Sequence, residues 1–165
     1  QGAGGEQSLG LVQMTERARL LQADADFAGA IRVYEQLHQL RPEQKEIAER
    51  LEQLRAAWKV HGPEHEEARR FFYEVWPSLD VAGLQKKLDQ AQKHLHTCKA
   101  VGDKLTPRKI LRVNAEHTIR IKERLDALKR VDSEDNRNRA KVIVEVSAGL
   151  LRLHQDAAAW IGKRE

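Results

Sequence analysis

Two apolar stripes at helical spacing in the last third of the chain limit what it can fold into. Leu111, Ile121, Leu125 and Leu128 recur within Pro107–Val131, and Ile143, Val146, Leu150, Leu153, Ala157 and Trp160 within Asn138–Trp160. Steps of three and four residues bring each set onto one face of a helix. Only the polar run Asp132-Ser133-Glu134-Asp135-Asn136 separates them, and a connection that short makes the two helices antiparallel neighbours. Neither can bury its stripe alone. A third stripe stands just upstream: Val81, Leu84, Leu88, Ala91, Leu95 and Cys98 alternate steps of three and four, as in a coiled-coil seam. Ser78 or Asp80 would cap that helix, Gly102-Asp103 would end it, and Thr106-Pro107 would open the next. Residues 79–160 therefore predict an antiparallel three-helix bundle.

Composition agrees with an all-α chain. Apolar residues make up 41% but aromatics only 5%, and charged residues reach 33%. With 165 residues there is enough chain for one or two small domains with a true core. No run of about 18 apolar residues is present, so no membrane span is expected, and no basic-then-apolar leader is visible. The lone Cys98 excludes an intramolecular disulfide and fits a reducing compartment, which points to the cytoplasm. Residues 106–165 carry 14 basic and 9 acidic side chains, a net +5 that suits an acidic protein surface. Bases and acids alternate there without an aromatic stacking platform, which argues against nucleic acid.

Upstream, Leu9, Leu11, Met14, Ala18 and Leu21 form another stripe. Then come Asp26-Phe27, Ala30-Ile31, Tyr34, Leu37, Leu40 and Pro42. This succession, over about residues 11–44, resembles one tetratricopeptide repeat. The small residues Ala18 and Ala30 would let two helices cross closely, and Pro42 would stop the second. Peptide-clamping members of that family place Lys and Asn where this chain has Thr15 and Arg19. Glu43–Val60, with Ile47, Leu51, Leu54 and Trp58 on one face, would cover the hairpin as a capping helix, giving a domain over residues 9–60. Gly62-Pro63 reads as a break, and residues 64–163 as a second helical domain.

The segment Phe71-Phe72-Tyr73-Glu74-Val75-Trp76 holds four of the eight aromatic residues. Either it is a packing wedge, or Phe72, Tyr73 and Trp76 form an exposed aromatic anchor for a partner. Chemistry is hard to find elsewhere. On a helix His94 and Cys98 share a face while His96 points away, so the three do not converge on a metal. No phosphate loop, dinucleotide fingerprint or zinc-protease motif is present. We therefore expect no catalysis, no cofactor and no metal. Asn114, His117 and Thr118 occupy seam positions, where polar residues can specify register. Val142–Val146 forms a wide β-branched band, read as a helix buried on more than one side.

The last helices also resemble a BAG domain, a three-helix bundle that binds the nucleotide-binding domain of heat-shock chaperones and promotes ADP release. The resemblance spans about residues 79–155 and rests on Leu125–Glu134, Arg137-Asn138-Arg139 and Val142, Val146, Leu150-Leu151. Asp132 matches the acid that closes the family's second helix, and Arg139 the basic residue that opens the third. Lys122, with Glu123 beside it, and Ser147 stand where the family tends to have Glu and Gln. The resemblance implies a partner surface of Asp132, Arg137, Arg139, Glu123 and Lys122. The expected partner is a protein, either a heat-shock chaperone or a subunit of a larger cytoskeletal or trafficking assembly that this chain would serve as scaffold or adaptor.

Overall fold

The computed structural model describes residues 2–163, with side chains described from Gly10 onward. Among these residues there are six α-helices and no strand: α1 (Gly2–Ala23), α2 (Phe27–Leu40), α3 (Lys45–Arg70), α4 (Val81–Val101), α5 (Leu105–Lys129) and α6 (Glu134–Gly162). A π-helical turn, Phe71–Val75, and a 3-10 turn, Trp76–Ser78, join α3 to α4. The chain divides into two compact units. One holds the residues up to Pro63 together with Lys99–Leu105, and the other Glu64–Cys98 together with the residues from Thr106 onward. No described helix is long and apolar enough to cross a membrane.

In the first unit, Ala18 and Ala30 are fully buried where α1 meets α2. The absent side-chain bulk lets the backbones approach, and Phe27, Tyr34, Leu37, Leu51 and Leu54 fill the remaining space. Asp26 caps α2, its Oδ1 accepting from the Gly29 amide at 3.0 Å. The preceding Ala25 sits in the left-handed region at φ 65°. Residues 45–63 of α3 close over α2: Trp58 stacks on Phe27 with ring centroids 4.6 Å apart, and Arg55 pairs with Glu35 at 2.6 Å. The stretch Lys99–Leu105 is tied to the α1–α2 turn. Gln22 Nε2 donates to the Val101 carbonyl at 3.1 Å, and the Lys104 amide to the Ala23 carbonyl at 3.0 Å. Gly102 makes this possible, at φ 75° and in a position where a Cβ would collide with the Gln22 amide.

The second unit has one core. Leu84, Ala91 and Leu95 of α4, Ile110, Val113 and Ile121 of α5, and Ile143, Val146, Leu150 and Leu153 of α6 all contribute to it. The start of α4, the end of α5 and the start of α6 lie together, since Val81, Leu128 and Ile143 line one surface groove. Hence α5 runs antiparallel to both α4 and α6, which are parallel to each other.

Several local expectations are corrected. Gly62-Pro63 does not break the chain, because α3 continues through it to Arg70. The ring denies the Lys59 carbonyl its partner, but Lys59 and Pro63 are both exposed, so water can satisfy that oxygen. Residues 64–75, which the break at Gly62-Pro63 predicts as a short helix of their own, are accordingly the end of α3 and the π turn. α5 opens at Leu105, whose amide donates to Asp103 Oδ1 at 2.8 Å, rather than at a Thr106 cap. α6 opens at Glu134 with Ser133 as its cap, four residues earlier than the apolar pattern suggests. The β-branched band is not buried on more than one side: Ile143 and Val146 face the core, while Val144 is 56% and Val142 37% exposed.

Candidate functional site

The α5–α6 turn is built by short polar side chains. Ser133 Oγ accepts from the Asn136 amide at 3.1 Å, and Asn136 Nδ2 donates back to the Val131 carbonyl at 2.9 Å. These bonds end one helix and start the next within a few residues, which fixes the turn. On its outer side Arg137 Nη1 donates to Asp132 Oδ1 at 2.6 Å, with both side chains largely exposed. Two residues expected to meet a partner thus meet each other. Arg139 lies apart from that pair and joins Arg124 on the rim of a groove between α4 and α6. Lys122 and Glu123 are exposed on α5 and, like Arg139, make no ion pair among the described residues.

The aromatic segment resolves into two parts. Phe72 and Trp76 are fully buried in the second unit's core, so neither is a surface anchor. The π turn accounts for this. Its wider winding turns Phe71, Phe72 and Trp76 inward together, with Phe71 and Phe72 edge to face at 5.2 Å. Tyr73 alone of the predicted anchors reaches solvent, with the Lys109 ammonium 5.5 Å from its ring centre.

Behind that segment lies a polar cluster that the sequence marks only by its seam positions. Trp76 Nε1 donates to Asn114 Oδ1 at 2.8 Å, and His117 Nε2 donates to the Trp76 carbonyl at the same distance. Arg120 Nη1 donates to the Leu79 carbonyl at 2.9 Å. Asn114, His117 and Arg120 are three residues apart, so one face of α5 grips Trp76–Leu79. The carbonyl can only accept, which places the imidazole proton on Nε2 and leaves Nδ1 as a buried lone pair with no partner. Burial holds the His117 pKa below its ordinary value of 6.5; Arg120 also lowers it, while the Trp76 carbonyl and Glu116 oppose the shift. His94 is likewise lowered by burial against Phe71, 4.8 Å away, with Glu67 and Glu64 opposing. His96 is exposed and Cys98 buried, on different faces of α4.

Comparison with family models, with curated proteins and with solved structures returned no match. The reading of this surface therefore rests on its own chemistry.

Proposed function

We propose that this chain is a non-catalytic protein-interaction module of the cytoplasm, acting as a BAG-type co-chaperone. In this reading the first unit is a tetratricopeptide-like hairpin with its capping helix. The second is an antiparallel three-helix bundle whose α5 and α6 dock on the nucleotide-binding domain of a heat-shock chaperone. The supporting observation is the fixed α5–α6 turn with Arg139 just beyond it on α6 and Lys122 and Glu123 about two helical turns before it on α5, all three exposed and without ion partners among the described residues. The Asp132–Arg137 pair is exposed, so exchanging it for partner contacts costs little. Calorimetric titration with a chaperone nucleotide-binding domain tests the reading. Arg139→Ala should leave the fold intact and weaken binding by roughly 2 kcal/mol or more, with nucleotide release slowed in parallel.

The second reading, a scaffold or adaptor within a larger cytoskeletal or trafficking assembly, draws on different residues. Ile119 of α5 and Val144 and Leu151 of α6 leave more than half of their surface exposed, an apolar display suited to packing against another helix. It predicts no chaperone binding by the wild type. Silence in the titration at micromolar concentrations rejects the co-chaperone reading and leaves this one.

A further inference from the structure

We infer that the groove between α4 and α6 binds an amphipathic helix of another protein, with carboxylates at both of its ends and a neutral or basic residue at its middle. The groove lies wholly within the second unit and shares Arg139 with the surface of the co-chaperone reading, but its apolar floor and Arg152 are separate from it. Its floor is apolar: Val81 and Leu88 from α4 and Val142 and Val146 from α6. Val142, shared by both halves of the groove, is 37% exposed. Two parallel helices with an open apolar seam offer the site that a fourth helix fills in a bundle. From Arg139 to Arg152 the α6 rim runs for about 20 Å at 1.5 Å per residue, room for between three and four helical turns. Gly149 keeps the floor continuous. Leu88 packs where its side chain would be, with Cδ1 only 2.9 Å from the position a Cβ would take.

Charge decides the occupant. Arg124 and Arg139 flank one end of the groove and Arg152 the other, while Asp89 and Glu145 lie between. None of the three arginines has an ion partner among the described residues, whereas Arg120 and Arg137 are both engaged. Unpaired guanidinium groups at the ends of an apolar slot favour carboxylates there, and the central acids disfavour them in the middle. A helix laid in a groove is read through apolar anchors at steps of three, four and seven. The partner pattern is therefore an apolar stripe with Glu or Asp near each end.

The full-length chain, isotopically labelled, can be titrated with a synthetic helical peptide carrying a leucine stripe, Glu near each end and Lys at the centre. A second peptide has Glu and Lys exchanged. The expected result is micromolar binding of the first, with amide shifts concentrated in 81–92 and 139–152, and binding of the second weaker by roughly tenfold or more. Arg152→Glu should narrow the preference between the peptides by weakening the first and sparing the second, a differential change that a folding defect cannot produce. Val142→Glu should abolish binding of both while circular dichroism stays unchanged. Absence of binding up to about 1 mM, equal affinity for the two peptides, or shifts mapping elsewhere would overturn the inference. Arg152 and Val142 lie outside the α5–α6 turn, so chaperone titration of the same variants separates failure of this site from failure of that surface.

Discussion

The Trp76 indole N–H donates to Asn114 Oδ1 at 2.8 Å, inside a core where both side chains are almost fully buried. This bond joins the segment after α3 to the middle of α5 and sets which residues of α5 face the aromatic cluster. Removing one partner leaves the other buried and unsatisfied, which costs about 1–3 kcal/mol. Asn114→Ala should lower the stability measured by urea unfolding by that amount, and Trp76→Phe should also destabilise. The double variant should lose less than the sum of the two, because no donor is left stranded. Strict additivity would mean that the bond contributes nothing.

His117 makes the same junction sensitive to acid. Its folded pKa lies below the unfolded value of 6.5, so below that value the unfolded chain binds the proton more readily than the folded one. The stability due to neutral His117 is complete above 6.5 and is lost as pH falls through 6.5 toward the folded pKa. Protonation would also bury an Nδ1–H with no acceptor. His117→Gln should be less stable than wild type at pH 7.5, and the gap should narrow by pH 5. A gap independent of pH, measured by chemical denaturation at both values, would remove His117 from the acid response.

The all-α class, the three C-terminal stripes and the tight α1–α2 crossing are legible in the sequence because periodic apolar residues report burial directly. Ile143, Val146, Leu150 and Leu153 are core residues as their spacing requires. What spacing cannot report is the fate of a residue on a seam. Phe72 and Trp76 look equally fit for surface or core until the π turn rotates them inward. Asn114 and His117 stand out as polar seam positions, but their partners lie 38 and 41 residues away in the chain. Arg124 and Arg152 are invisible as a pair, since the groove they flank exists only once α4 lies beside α6. Helix ends escape the sequence for a simpler reason. Asp103 and Ser133 accept hydrogen bonds from first-turn amides of α5 and α6 through short polar side chains, outside the apolar pattern.

Ala30 tests the crossing in the first unit. It is fully buried opposite α1, with Ala18 equally buried in the same core. Ala30→Leu must displace packed neighbours and should cost about 1–3 kcal/mol, read as a lower thermal midpoint. An unchanged midpoint would place Ala30 against a void and remove the physical basis of the tetratricopeptide-like reading.

Ala25 and Pro63 carry backbone costs of opposite visibility. Ala25 holds φ 65° in the α1–α2 turn, where a Cβ raises the energy by about 1–2 kcal/mol. Ala25→Gly relieves that strain but frees the unfolded chain, so the net gain, read from chemical denaturation, should be below about 1 kcal/mol.

Pro63 is the larger case. It stands inside α3, where its ring removes the amide that would bond to the Lys59 carbonyl and crowds that oxygen. Exposure of both residues lets water replace the lost bond, which explains why the helix survives but not why it should prefer Pro. An interior proline is roughly 3 kcal/mol less favourable than alanine in an isolated helix. Part of that is offset here by hydration and by the stiffness Pro gives the unfolded chain. Pro63→Ala should therefore stabilise the protein by about 1–2 kcal/mol, less than the isolated-helix figure. Hydrogen exchange gives the sharper reading: the backbone amide that this substitution introduces should be protected as part of an unbroken helix. If stability falls instead, the local backbone that Pro63 sets is required by packing within one of the two units that meet in the chain at this residue.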